Sequence, residues 1–214
     1  MLALGPVVMM VGFFTWPVGD NEFGQAALDS LKAADNNMLY FSAILAATGV
    51  LMIFGGLFLL SQDLMANSGK MERDMLMMSR IGFMFAFTVF FLFFGMSMEA
   101  NMLVKEEYDH LTAEESNALA LDVINLSNHI WGSVPIAWGT ALLLLGVAAV
   151  RTVAPKEPME WAYALPAVGG LGMITMLWHE MDAAFFFAMF CAVPIGVLML
   201  TGHLKDTGAD SEEA

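Results

Sequence analysis

Cysteine is almost missing from this 214-residue chain, with Cys191 the only one. A single thiol excludes an internal disulfide, a cysteine-ligated zinc cluster and a CxxC redox pair. In its apolar run Cys191 reads as a small buried hydrophobe. Charge is scarce as well: charged residues make up 14% of the chain, where a soluble domain carries roughly a quarter. Basic residues are the rarest, 8 against 22 acidic, for a formal net charge of -14. Such a balance repels nucleic-acid phosphates and anionic lipid headgroups, so nucleic-acid binding is set aside. There is no phosphate loop, GxGxxG, HExxH or GxSxG, and no internal repeat. Nothing points to a soluble catalytic domain, and whether the chain is an enzyme stays open.

Long apolar runs are what the sequence does have; 58% of residues are hydrophobic and the mean hydropathy is +0.68. Crossing a bilayer core of about 30 Å takes about 20 apolar residues in a helix that satisfies its own backbone. Six segments, 2–18, 38–60, 81–98, 130–150, 161–178 and 183–200, approach that length, and none contains Asp, Glu, Lys or Arg. A charge at a helix centre would cost about 2.5 to 3.5 kcal/mol, so every charge is expected in a connection, an end or the tail. The fold class that follows is all-α, a polytopic transmembrane bundle of about six spans in one domain, 1–203, followed by an acidic tail, 204–214. The first run is short and carries Pro6 and Pro17. With no Lys or Arg ahead of it and no small-x-small site after it, it reads as a retained span and not a signal peptide.

Lys and Arg set the orientation. Lys70, Arg73, Arg80, Arg151, Lys156 and Lys205 fall on one side of this arrangement, and only Lys32 and Lys105 on the other. Both termini are therefore expected in the cytoplasm, with the chain in the cell membrane. The outer face holds most of the acid, including Asp20, Glu22, Asp29, Asp35, Glu99, Glu106, Glu107, Asp109, Glu114, Glu115 and Asp122. A salty environment is preferred to cation gathering as its reason. Thr112 followed by Glu115 reads as a capping box. Leu119, Val123, Leu126 and Ile130 then recur at helical spacing, which predicts an amphipathic helix on the outer surface, apolar side down, leading into the fourth span.

The spans also exclude functions. None holds a lysine for a retinal Schiff base, and the carboxylate or base that marks the path of many ion-coupled carriers is missing too. Pro166, Gly169, Gly170 and Gly172 could break the fifth span around a solute, although close helix packing is the commoner use of such residues. Ser42 with Ala46, and Ala43 with Ala47, give a small-x-x-x-small packing face. The stripe Phe83, Phe87, Phe90 and Phe94, with Phe185, Phe186, Phe187 and Phe190, fits helix or lipid contact better than a quinone or carotenoid.

Chemistry could be carried in one place. His129 and His179 fall at the same outer boundary, on segments expected to be antiparallel neighbours, together with Glu99, Glu180 and Asp182. Imidazole and carboxylate suit a transition metal, and two facing imidazoles suit the axial positions of haem b. Met96, Met98, Met102, Met176 and Met181 nearby would add thioethers suited to copper. The plainer alternative makes both histidines interfacial residues beside Trp131 and Trp178. Three function classes remain: a metal- or haem-binding redox subunit of a membrane complex, a transporter or channel for a neutral solute, and a structural or assembly subunit without chemistry. The expected partners are the lipid bilayer and other membrane subunits.

The order His129, Pro135, Trp138, Gly139, Trp178, His179 resembles a stretch of the C subunit of copper membrane monooxygenases, over less than half of the chain. The resemblance implies a copper ligand set of a carboxylate or amide and two histidines. Glu106 and His110 begin that set, and Val123 stands where the second histidine would be.

Overall fold

The computed structural model describes residues 1–18, 24–105, 108–153, 157–175 and 182–204, with side chains from 184 onward in the last of these. Helices α1 (Gly5–Phe14), α2 (Gln25–Ala33), α3 (Asn36–Ala66), α4 (Lys70–Val104), α5 (Ala113–Trp131) and α6 (Val134–Val153) are followed by a short 3-10 helix (Pro158–Ala164). Then come α7 (Leu165–Thr175), α8 (Asp182–Phe190) and α9 (Ala192–Leu200). Among the described residues there is no strand, so the chain is all-helical.

Local chemistry explains where the helices start and break. Asp35 caps α3, its carboxylate accepting from the Met38 amide at 3.0 Å. Thr112 and Glu115 form the expected capping box at the start of α5, the Thr112 amide donating to Glu115 Oε2 at 2.9 Å. Two interruptions trace to proline, which lacks the N–H that would reach back four residues. Pro135 leaves the carbonyl of Trp131 unclaimed, and Trp131 is the last residue of α5. Pro194 does the same to Phe190, the last residue of α8.

Three helical stretches are long and apolar enough to cross a membrane: α3, α4, and the nearly continuous α5–α6. The other expected spans fall on α1, α7 and the α8–α9 pair. These are shorter; α1 has 10 residues and α7 has 11.

Small residues bring these helices together. A Cβ on Gly49 of α3 would lie 2.3 Å from the Met9 nitrogen, and one on Gly12 of α1 would lie 2.4 Å from the Ala46 nitrogen. Ser42 and Ala46 are fully buried in this contact, and Ser42 Oγ donates to the Thr15 carbonyl at 2.9 Å. The expected packing face is thus the seat of α1. Antiparallel to α4 along its whole length run α5 and α6. Ser116 Oγ donates to the Leu103 carbonyl at 2.6 Å, Ser79 Oγ to the Ala141 carbonyl at 2.8 Å, and Arg151 Nε meets Glu72 Oε1 at 2.7 Å. On its other side α6 touches α7, where a Cβ on Gly146 would lie 2.2 Å from the Ala167 nitrogen. A Cβ on Gly196 of α9 would lie 2.4 Å from the Ala3 nitrogen, which brings the C-terminal helices back to the start of the chain.

Two separate cores result. The larger is an aromatic spine in which Phe54, Phe83, Phe90 and Trp138 are buried; Trp138 packs edge-on against Phe54 at 4.9 Å and Phe185 at 5.6 Å. The smaller lies among α2, the start of α3, the end of α4 and α5, with Leu28, Leu31, Leu39, Leu103, Ala120 and Ile124 buried.

Two details add to the sequence-based expectation. The charges stay outside the apolar runs but not outside the helices: Lys70, Glu72, Arg73, Asp74 and Arg80 all lie on α4, ahead of the run 81–98. That helix has 35 residues, about 52 Å at 1.5 Å per residue, so its first turns extend well beyond an apolar core of about 30 Å. Arg80 sits with its guanidinium 4.1 Å from the Phe58 ring centre. On α5 the buried stripe is not the leucine one. Ser116, Ala120, Ile124 and Ser127 face the bundle, while Leu119 and Leu126 are 45% and 55% exposed. Small side chains let α5 stand close along α4, where a helix lying flat would have turned its leucines down.

Candidate functional site

The end of the bundle opposite Arg73 and Arg151 holds the residues singled out for chemistry. Glu99 lies in the last turns of α4, half-buried, and accepts from the Tyr108 hydroxyl at 2.8 Å. His129 lies in the last turn of α5 and is exposed. Its Nδ1 is 2.6 Å from the Asn125 carbonyl oxygen. A carbonyl only accepts, so Nδ1 carries a proton and the lone pair of the neutral ring is on Nε2.

Trp131, two residues beyond His129, has its ring 6.2 Å from that of Phe185 in α8. The end of α5 and the start of α8 therefore share one level of the bundle. Asp182 opens α8, its side chain outside what is described, and His179, Glu180, Met176, Met181 and Trp178 lie outside the described residues. The meeting of His129 with His179 is thus neither made nor broken. Among the described residues, no three of His, Cys, Asp and Glu come together as a metal-holding group. Of the ligand set suggested by the copper-protein resemblance, Glu106 is outside the described residues. His110 is exposed just ahead of α5, and Val123 is on α5.

The glycines of the fifth apolar run are used for contact. Helix α7 runs unbroken through Gly169, Gly170 and Gly172. A Cβ on Gly170 would lie 2.4 Å from both the Gly139 carbonyl oxygen and the Leu143 nitrogen, and one on Gly169 would lie 3.1 Å from Ala188 Cα. Backbone fills the space that a solute path would need.

Two polar residues that the sequence did not single out for a site organise this end. Asn101 is fully buried and donates from Nδ2 to the Leu31 carbonyl at 2.8 Å. One turn later Lys105 Nζ donates to the Ala34 carbonyl and to Asn36 Oδ1. Together they tie the α2–α3 corner to the end of α4. The signal was available: an amide and an ammonium at i and i+4, just past an apolar run, mark a helix face with something polar to hold. The capping box has an electrostatic consequence too. Hydrogen bonds from the Thr112 backbone and hydroxyl hold the Glu115 carboxyl below its ordinary range.

What the arrangement offers is an acidic helical cap. Asp29, Asp35, Asp109, Glu114, Glu115 and Asp122 are exposed, and Lys105 is already engaged. Compared with known proteins, the chain matches no family model, no curated protein and no solved structure.

Proposed function

We propose that this chain is a multi-pass membrane subunit without chemistry of its own, whose acidic cap of α2, the end of α4 and α5 stands outside the bilayer and docks a basic, apolar-faced partner. The observation that carries this reading is the outer face of α5. Leu119 and Leu126 are exposed there, with exposed Asp122 between them. In lipid such leucines need no partner, but α5 also carries Glu114, Glu115, Asn117, Asp122 and Asn125, a composition too polar for hydrocarbon. On the wet side of a membrane, an apolar stripe rimmed by carboxylates is an interaction surface for a partner of opposite charge. Six crossings with both termini on the side that holds most of the Lys and Arg complete the reading.

Thiol labelling tests it even while the partner is unidentified, because Cys191 is buried. In Leu119→Cys and Leu126→Cys variants, a membrane-impermeant maleimide is expected to label purified protein quickly and protein in its native membrane slowly. Equal rates in the two settings would refute docking at this face, and no labelling of purified protein would refute the wet location of α5.

A second reading rests on His129. Histidines that ligate metals characteristically donate the other ring nitrogen to a carbonyl or carboxylate, as Nδ1 does here to Asn125. A copper, other transition-metal or haem b site on His129 would draw its further ligands from His179, Glu180, Asp182 or Glu99. Elemental analysis and an optical spectrum of the purified chain decide between the two: a stoichiometric metal or a haem band, lost in the His129→Ala variant, favours the redox subunit.

A further inference from the structure

At the opposite end of the bundle, where most of the Lys and Arg lie, a groove runs between α4 and α6. Its upper part, about 450 Å³, is lined by Lys70, Asp74, Met75 and Met78 of α4 and by Leu144 of α6. A deeper part of about 380 Å³ shares Met78 and Leu144 and continues to Phe85 and Ile136. Lys70 and Asp74, both exposed, are the polar groups at the mouth; below them the walls are apolar apart from the hydroxyls of Ser133 and Thr140. Neither charge has an ion-pair partner among the described residues.

We propose that this groove is a site for a single aminophospholipid, its phosphate on the Lys70 ammonium, its primary ammonium on the Asp74 carboxylate, and one acyl chain lying between α4 and α6. Length supports the assignment. From residue 70 to residue 85, α4 rises about 22 Å, close to half of a bilayer about 40–45 Å thick with its headgroups. The groove is therefore long enough to hold a headgroup at its charged mouth and much of one acyl chain below it. Chemistry supports it as well. A cation and an anion one helical turn apart match a headgroup that carries both signs, whereas an anionic headgroup would leave Asp74 facing like charge. A choline headgroup lacks the N–H donors that a carboxylate engages.

Native mass spectrometry of the full-length protein in detergent tests this, with dioleoyl phosphatidylethanolamine, phosphatidylcholine and phosphatidylglycerol added in turn. One phosphatidylethanolamine per chain is expected to be retained about two- to fivefold better than the other two lipids, the range of one exposed charge pair. Asp74→Asn should abolish that preference. Thr140→Phe, which fills the deep part from an exposed position, should lower retention of all three lipids alike. Both substituted side chains are exposed, and an unchanged elution volume on gel filtration shows that the variants fold. Equal retention of the three lipids by the parent chain would overturn the headgroup assignment, as would a preference that survives Asp74→Asn. Retention unaffected by Thr140→Phe would overturn the groove as the site.

Discussion

Replacing Gly146 by alanine tests whether α6 and α7 meet backbone to backbone. The added Cβ would lie 2.2 Å from the Ala167 nitrogen, 2.6 Å from its Cβ and 2.8 Å from its Cα. Carbon contacts are comfortable at about 3.5 to 4.0 Å, so α7 would have to retreat by about 1 Å. The obstacle is backbone, and no flexible side chain is there to swing away. Overpacking of this kind costs about 1 to 3 kcal/mol. Gly95 on α4 supplies the control, because a Cβ there would meet nothing within 4 Å. Gly95→Ala should gain about 0.5 to 1 kcal/mol by reducing the freedom of the unfolded chain. The two variants should therefore differ by about 1.5 to 4 kcal/mol. Thermal unfolding in detergent reads the difference, at about 2 to 4 °C per kcal/mol for a chain of this size. Gly146→Ala should melt below the parent and Gly95→Ala at or above it. Equal melting temperatures for the two variants would show that α6 and α7 do not touch in this way, and the case against a solute path along α7 would weaken with it.

Lys105→Met removes the donor that serves the Ala34 carbonyl and Asn36, and should cost about 1 to 3 kcal/mol; hydrogen exchange of the α2 amides should speed up while that of α6 stays unchanged. Thr112→Ala removes the cap of α5 and should cost about 0.5 to 2 kcal/mol. Glu115 has a folded-state pKa below its unfolded value, so its contribution is complete above the unfolded pKa and is lost as the pH falls through the folded one. Acid titration of helix content by circular dichroism should accordingly show an acid-side loss that Thr112→Ala abolishes, and identical profiles would count against the capping box. Ser79→Ala deletes the bond to the Ala141 carbonyl and should cost about 0.6 kcal/mol and at most about 1.7, the average and maximum for hydrogen bonds between membrane helices, read by the same unfolding assay.

How much of this was legible in the sequence depended on which solvent wrote the signal. The apolar runs were plain, because hydrocarbon tolerates no bare charge, and α3, α4 and α5–α6 follow from that rule. The capping box was plain because it is local, two side chains three residues apart. Ser42 and Ala46 were read correctly as a packing face, but their extension to Gly49 and the partner Gly12 was not, since neither residue differs from its neighbours in hydropathy. Arg80 was placed between the second and third spans because the apolar run begins at Ile81. In the structure α4 begins at Lys70 and the Arg80 guanidinium rests on the Phe58 ring, long enough to leave its helix face and find an aromatic one. The expected pairing of His129 with His179 depended on a tertiary meeting at residues outside those described, and no periodicity of one sequence carries that information.

The face that α5 buries is instructive. In water the largest apolar side chains turn inward, whereas here Leu119 and Leu126 are exposed. Between helices in or near lipid, burying leucine gains little, so the closest approach wins and small residues take the interface. Ser116, Ala120 and Ser127 obey this second rule, as Gly12, Gly49, Gly146 and Gly170 do deeper in the bundle. Elsewhere in the cap the first rule holds, with Leu28, Leu31, Leu39 and Leu103 buried together. Helix α5 packs by the second rule although it carries Glu114, Glu115, Asn117, Asp122 and Asn125. Leu119 and Leu126 are then left about half exposed, while Leu121 packs against the smaller core. It is this exposure, and not the acidity alone, that motivates the proposal of a partner at the outer face of α5.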